Sequence, residues 1–178
     1  MASNDKLAEQ YLRDFGHWHV KMDFFAKQIE SLKKLNDFTV FTISAFLLES
    51  QSIEFHLQGL LLELDLIKDT ENIKYLGRKY KRKAYYDLSL GQLKDELKQY
   101  QVDFLKKLIV LLEELNRMRI QFAHHIYSYS TSLDDLIIDA DKGIKLSEQV
   151  MLEISKVFKH TEQNTWIGHL MTKKKIYK

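Results

Sequence analysis

The chain has 178 residues, of which 45% are apolar and 29% are charged, and its formal net charge is +2. This composition is typical of one globular domain, taken as residues 1–178, and excludes an intrinsically disordered chain. Proline and cysteine are both absent. The lack of proline disfavours an all-β fold, and the lack of cysteine excludes disulfide bonds and thiolate metal sites while fitting a reducing compartment.

The sequence shows neither a secretion signal nor a convincing membrane span. Residues 1–6 are polar and lack the apolar core of a signal peptide. The most apolar stretch, residues 38–67, is interrupted by polar and charged side chains such as Glu49, Glu54 and His56, which makes it a poor candidate for crossing a bilayer. We therefore expect a cytoplasmic protein that does not associate with membranes.

Apolar residues recur at three- and four-residue steps through most of the chain and predict five helical segments. The first runs from about Asp5 to Leu35. Asn36 and Asp37 then form a short break, because both residue types cap helices. The second segment runs from about Phe38 to Ile67. Its first half is rich in residues that favour strands, but the helical pattern continues and no hairpin signal follows, so a helix is favoured.

Residues 69–87 change the composition and predict a loop that can include a partial helical turn. This basic loop carries six cations: Lys74, Arg78, Lys79, Lys81, Arg82 and Lys83. It also carries four tyrosines: Tyr75, Tyr80, Tyr85 and Tyr86. Cations contact phosphates and tyrosine rings stack on unpaired bases, so the six cations are a candidate nucleic-acid-binding surface. The alternative is a solvated loop whose tyrosines pack back onto the helices.

The third segment is a short helix from Leu90 to about Tyr100. Ser89 and Gln92 match the capping-box pattern at its start, because a glutamine at the third helical position can reach back to the cap. The fourth segment runs from about Val102 to Tyr127 and keeps a regular apolar stripe throughout. It is the segment that carries the candidate chemistry.

The fifth segment follows a polar break at residues 128–132. It begins near Leu133 behind Ser132 and runs to about Trp166, with a perturbation expected at Gly143. Residues 171–178 form a basic tail. No internal repeat or domain linker is present, so the segments predict a single all-α domain, an antiparallel bundle of about five helices.

Two arginines and two histidines lie near the end of the fourth helix. At about 100° per residue, Arg119 falls inside the apolar stripe. It therefore needs a carboxylate, a phosphate or a solvent-lined cleft, because burying an unpaired guanidinium is costly. The candidate carboxylates are Glu49, Glu54 and Glu63. Arg117 and His124 are seven residues apart and share the opposite, polar face of the helix.

The stretch from Ser89-Leu-Gly-Gln-Leu to Leu115-Asn-Arg-Met-Arg-Ile-Gln-Phe-Ala-His-His resembles the HEPN superfamily of helical bundles, particularly its abortive-infection and toxin-type members. Those proteins carry an Arg and, after four to six residues, a His on a late helix. Here four residues separate Arg119 from His124, and six separate Arg117 from His124. The resemblance covers residues 89–127 by motif and the remainder only by helical pattern.

The resemblance implies metal-independent RNA cleavage at a homodimer cleft, in a toxin or a phage-defence effector that an antitoxin or regulatory protein can neutralise. It assigns Arg119 to phosphate binding and His124 to acid–base work, with Arg117 and His125 as reserves. This chain has Ile120 where the family often has a polar residue, typically Asn, directly after the Arg. Asn116 is the candidate substitute for that polar group.

Two further interpretations remain open. The first is a HEPN-like module that keeps the bundle, loses the chemistry and binds a protein or a nucleic acid. The second is a structural bundle in which Arg119 is buried against a carboxylate and the histidines are ordinary helix-end residues. His56, His160 and His169 are scattered and lack a Glu-x-x-His pattern, so we expect neither a metal nor another cofactor.

Overall fold

The described part of the chain is all-α. The computed structural model describes Lys27 and residues 38–69, 71–126 and 132–164. Within these ranges lie four α-helices, α1 (Phe38–Ile67), α2 (Leu90–Leu97), α3 (Lys106–Ile126) and α4 (Leu133–Asn164). Two short 3₁₀ turns, Tyr85–Asp87 and Asp103–Leu105, precede α2 and α3. The described residues contain no strand, only an isolated antiparallel bridge between Tyr75 and Tyr100.

The predicted second helix is confirmed over residues 38–67. The predicted loop of residues 69–87 is confirmed in its described part, with its partial helical turn at Tyr85–Asp87. The first predicted segment apart from Lys27, the break at residues 128–132 apart from Ser132, and the tail at residues 171–178 lie outside the described residues. The count of five helices and their antiparallel order therefore stay predictions.

Two predicted helices are shorter than expected, because their ends leave helical geometry. The third ends at Leu97 instead of Tyr100, since Lys98 and Gln99 form a turn that delivers Tyr100 to its bridge. The fourth begins at Lys106 instead of Val102. Val102 is extended (φ −128°, ψ 143°), and a 3₁₀ turn follows it before the α-helix begins.

The predicted perturbation at Gly143 is wrong, because α4 passes through this residue without interruption. The glycine serves packing instead. Phe46 of α1 lies against it so closely that a Cβ at position 143 would overlap the phenyl ring. The same ring meets Phe122 of α3 edge to face, with centroids 5.2 Å apart. Gly143 therefore lets α1, α3 and α4 share one aromatic contact.

The core is formed by the apolar stripes of all four helices. Fully buried side chains include Phe46, Ile53, Leu57, Leu60 and Leu64 of α1, Leu90, Leu93 and Leu97 of α2, Leu108, Leu112 and Leu115 of α3, and Val150 and Ile154 of α4. Burial of this apolar area is the main contribution to folding, at about 25 cal/mol per Å². It fixes which face of α3 points inward and which remains in water.

Candidate functional site

The side chain of Arg119 on α3 reaches across to α1, where its partner is Glu54. Its Nη1 donates to Oε1 of Glu54, and the two side chains are 32% and 21% exposed. The same carboxylate oxygen accepts the backbone N–H of Leu90, at 2.8 Å, at the start of α2. Glu54 thus joins three helices, and it is the one of the three candidate carboxylates that forms an ion pair with Arg119.

The ion pair orients Arg119 without enclosing it. A fully buried pair would have to offset a desolvation penalty of several kcal/mol per charge. Here about a third of the arginine side chain is exposed, so most of that penalty is avoided and the pair contributes about 1 kcal/mol or less. Of the three surroundings expected for Arg119, a carboxylate, a phosphate or a solvent-lined cleft, the structure shows a carboxylate, and the arginine side chain is only half-buried.

His124 and Arg117 lie on the outer side of α3. Both side chains are exposed. Seven residues of ideal α-helix separate two side chains by about 20° around the axis and roughly 10 Å along it. Five residues, the spacing of Arg119 and His124, separate them by about 140°. Within one chain no hydrogen bond joins Arg119 to His124, and Arg117 is the arginine that shares the face of His124.

His125 points toward α4 rather than toward the face of His124. Its Nδ1 lies 3.1 Å from Oδ2 of Asp139, and both side chains are partly exposed. This contact connects the last turn of α3 to α4. As a surface pair it contributes little to stability.

Asn116 lies beside the first turn of α2. A Cβ placed on Gly91 would lie 3.2 Å from the Asn116 side-chain oxygen, so the amide packs against the same turn that Glu54 holds. Ile120 is 50% exposed, and its side chain leaves an apolar surface where the HEPN-like pattern usually has a polar group. The structure therefore brings Asn116, Arg119 and Glu54 around the start of α2, whereas His124 lies elsewhere on α3.

The basic loop is held to the helices through its backbone. Glu96 of α2 is fully buried, and its two carboxylate oxygens accept the N–H groups of Lys79, at 3.2 Å, and Tyr80, at 2.6 Å. The N–H of Gln101 donates to the carbonyl of Lys74 at 2.8 Å, and that of Leu76 donates to Gln99 at 2.9 Å. Sequence patterns gave no sign of this role for Glu96, because its partners lie 16 and 17 residues away.

Three of the four loop tyrosines pack back onto the helices, as the solvated-loop interpretation expected. Tyr75 stacks on Tyr100, with centroids 4.5 Å apart. Tyr85 and Tyr100 each donate a 2.7 Å hydrogen bond to the carboxylate of Asp65. The ring of Tyr80 is half-buried, and its hydroxyl donates to Asp95 at 3.1 Å.

These contacts shift the ionisation of the groups beneath the loop. Burial raises the pKa of the Tyr85 and Tyr100 hydroxyls, so both stay protonated as hydrogen-bond donors. Burial also acts to raise the pKa of Asp65, but the hydrogen bonds from Lys68, Tyr85 and Tyr100 prevail and lower it. The carboxylate is therefore charged and fully engaged, which fixes the position of the 3₁₀ turn at Tyr85–Asp87.

The six cations of the loop divide into two groups. Arg78 and Lys79 are used internally: Arg78 lies 4.2 Å from the Tyr85 ring centroid and donates to the Lys83 carbonyl, and Lys79 pairs with Asp95 at 2.7 Å. The other four have exposed side chains and no ion pair with any carboxylate in the described ranges: Lys74, Lys81, Arg82 and Lys83. The loop therefore presents four cations to solvent.

Groups of three or more His, Asp or Glu side chains that could hold a metal ion are absent from the described residues. None of the four described helices is long and apolar enough to cross a bilayer. Comparison of the chain with protein-family models, with curated proteins and with solved structures found no match.

Proposed function

We propose that this chain is a HEPN-like, metal-independent endoribonuclease that acts as a homodimer. The observation that carries the proposal is the pair of exposed side chains, the guanidinium of Arg117 and the imidazole of His124, on one face of the C-terminal half of α3. Behind them Arg119 is oriented by Glu54 and still partly open to solvent. The all-α fold agrees with the helical architecture of HEPN proteins.

The chemistry requires a group that takes a proton and a group that binds phosphate. The imidazole of His124 accepts the proton of a ribose 2′-hydroxyl while that oxygen bonds to the adjacent phosphorus. The bond from phosphorus to the 5′-oxygen breaks, that oxygen takes a proton from water, and the imidazolium of His124 releases its proton to the solvent. The products are a 2′,3′-cyclic phosphate and a 5′-hydroxyl. An arginine binds the phosphate oxygens and offsets the charge of the transition state.

Both arginines have a place in this proposal. Arg117 shares the face of His124, which suits direct contact with the substrate of that His. Arg119 faces α1 and is held by Glu54, which suits contact with a phosphate that approaches along the α1–α3 boundary. A second copy that lies across this boundary would add its own His124 to the Arg119 side, which is the reason for proposing a dimer.

The experiment is incubation of the full chain with single-stranded RNA in the presence of a chelator. We expect cleavage by the parent that leaves cyclic-phosphate ends, and a loss of at least a hundredfold for His124→Ala, the typical contribution of general acid–base catalysis. His125→Ala is the matched control, because it removes a neighbouring imidazole that contacts Asp139. Equal rates for the parent and His124→Ala, or no cleavage by the parent, would refute the proposal.

Arg117→Ala and Arg119→Ala then assign the phosphate contact. The arginine that binds the transition state lowers kcat when it is removed, whereas a purely structural one lowers stability at unchanged kcat. Circular dichroism and thermal unfolding of each variant separate the two effects.

A second candidate function is a non-catalytic HEPN-like module that binds a protein or RNA. The observation in its favour is the contact of Glu54 with both Arg119 and the Leu90 N–H, which gives Arg119 a structural role independent of catalysis. The apolar Ile120 points the same way. This module would bind RNA or a partner with no cleavage by any variant. A toxin or defence role, with a neutralising partner, rests on the family resemblance in either case.

A further inference from the structure

We infer that the basic loop is a preformed contact surface for a single-stranded nucleic acid, RNA in the proposed function, in which four open cations bind phosphates and Tyr86 stacks on a base. We call this surface the cationic turn; it comprises Lys74, Lys81, Arg82, Lys83 and Tyr86. The inference deepens the proposed function by giving it a substrate-binding surface away from His124, and it holds equally for a non-catalytic module.

The backbone of the cationic turn is fixed before any ligand arrives. The N–H of Lys83 donates to the Tyr80 carbonyl at 3.1 Å, which closes a tight turn with Lys81 and Arg82 at its tip. The guanidinium of Arg78 donates to the Lys83 carbonyl on the far side of that turn. Together with the two N–H groups that Glu96 accepts, these bonds hold the turn at both ends. Ordering a loop on binding costs affinity, so a loop that is already ordered binds more tightly.

The charge of this segment is strongly one-sided. Residues 74–87 contain six cationic side chains and one carboxylate, Asp87. Two of the cations, Arg78 and Lys79, are used internally, and the four cations of the turn remain open. Lys81, Arg82 and Lys83 are consecutive like charges that repel one another, and none of the four open cations forms an ion pair with a carboxylate in the described ranges. A polyanion would relieve this repulsion and release its own counterions, which is the main source of affinity for nucleic acids.

Tyr86 distinguishes a single strand from other polyanions. Its ring is 76% exposed, whereas the neighbouring Tyr85 is 5% exposed. Its backbone is fixed on both sides, because the N–H of Asp87 donates to Ala84 and that of Leu88 donates to Tyr85, each at 3.1 Å. An exposed ring on a fixed backbone is a platform for an unpaired base, and the bases of a duplex are not available for such stacking.

Other partners suit the surface less well. An anionic membrane would also attract the four cations, but besides Tyr86 the loop exposes only Leu76 as a large apolar side chain. Stable insertion into a bilayer surface needs a continuous apolar face. A single-stranded polyanion with stackable bases uses both the charge and the ring, so it is the partner that the chemistry favours.

The test is fluorescence anisotropy with a labelled oligouridylate, in chelator, on the full chain carrying His124→Ala so that the probe stays intact. Four phosphate contacts on a single strand give a slope of log K against log salt of about −3. Lys81→Ala with Arg82→Ala removes two contacts and is expected to reduce the magnitude of that slope by about 1.4. Lys142→Ala with Lys145→Ala is the matched control, because it removes the same charge from α4, where both lysines pair with aspartates.

Tyr86→Ala tests the stacking. It is expected to weaken oligouridylate binding roughly five- to hundredfold without a change in the salt slope, and to leave binding of a duplex RNA unchanged. Binding of the same variants to single-stranded DNA and to vesicles of anionic lipid is measured for comparison. DNA binding close to RNA binding is expected, because neither contact requires a 2′-hydroxyl.

Several results would overturn the inference: no binding by the His124→Ala chain, equal losses for the turn pair and the α4 pair, preference for duplex RNA or for vesicles, or no effect of Tyr86→Ala. Its failure is distinguishable from failure of the proposed function. Binding without cleavage by the parent removes the nuclease and leaves the surface. Cleavage that the turn variants do not affect removes the surface and leaves the nuclease.

Discussion

The contact of Glu54 with Arg119 and Leu90 gives the sharpest prediction for stability. Arg119→Ala removes a partly exposed ion pair and leaves Glu54 still bonded to the Leu90 N–H, so we expect a loss of about 0.5–1 kcal/mol. Glu54→Ala removes the same pair and also leaves that N–H without its acceptor. Leu90 is fully buried, and an unsatisfied buried donor costs about 1–3 kcal/mol. The expected total for Glu54→Ala is therefore about 1.5–4 kcal/mol.

Glu54→Gln separates the two contributions. It keeps a carbonyl oxygen for the Leu90 N–H and removes the charge, so its cost is expected to match Arg119→Ala, at about 1 kcal/mol. Urea unfolding of the parent, the three single variants and Glu54→Gln with Arg119→Ala provides the free energies. Because the paired residues touch, the double variant is expected to cost about 0.5–1 kcal/mol less than the sum of its two singles.

Two outcomes would refute this reasoning. If Arg119→Ala costs as much as Glu54→Ala, then the ion pair and not the Leu90 N–H is the main contribution. If Glu54→Gln lowers the free energy of unfolding as much as Glu54→Ala does, then the charge of Glu54 contributes more to stability than a partly exposed ion pair is expected to contribute.

Three further predictions concern the core and the loop. Gly143→Ala is expected to lower the free energy of unfolding in urea by about 1–3 kcal/mol, because its methyl group overlaps the Phe46 ring. Gly91→Ala is the control and is expected to change that free energy by less than about 1 kcal/mol, because the nearest atom belongs to a side-chain amide 3.2 Å away. Equal costs for the two variants would contradict the packing argument. Phe122→Ala is expected to cost about 3–5 kcal/mol through the cavity beside Phe46, and a thermal shift of only a degree or two would exclude that contact as a core element. The folded protein lowers the pKa of Asp65, so the stabilisation by this carboxylate is complete above its unfolded-state pKa of about 4 and is lost as the pH falls through its folded-state pKa. Asp65→Asn is therefore expected to be less stable than the parent at pH 7 and to differ progressively less from it in acid. A difference in stability that is the same at every pH would contradict the pKa shift.

The helix boundaries that were predicted well are those with a local signal. The Ser89 and Gln92 pattern correctly placed the start of α2, where the N–H of Ser89 donates to Oε1 of Gln92 at 3.2 Å. Ser132 likewise precedes α4 and accepts the Asp135 N–H at 3.1 Å. In both cases the donor and acceptor lie three residues apart, so the sequence alone contains the whole interaction.

Features that depend on distant contacts were predicted poorly. Gly143 reads as a weak point in a helix, yet its function is to accept the ring of Phe46 from another helix. The position of Arg119 in the apolar stripe predicts a carboxylate, a phosphate or a solvent-lined cleft beside it, and three glutamates on the second segment were equally plausible as the carboxylate. The choice of Glu54 depends on where α2 begins, because the Leu90 N–H binds the same oxygen, and no local pattern contains that information.

The attachment of the basic loop has a consequence for how freely its sequence can change. Glu96 accepts hydrogen bonds from backbone N–H groups, which every residue except proline has. The conformation of the turn therefore depends on its backbone and on Glu96, and not on the side chains at positions 81–83. Substitution there should alter what the surface recognises while the bundle stays intact. The tip is accordingly a natural position for exchanging recognition residues, in evolution or by grafting a short peptide.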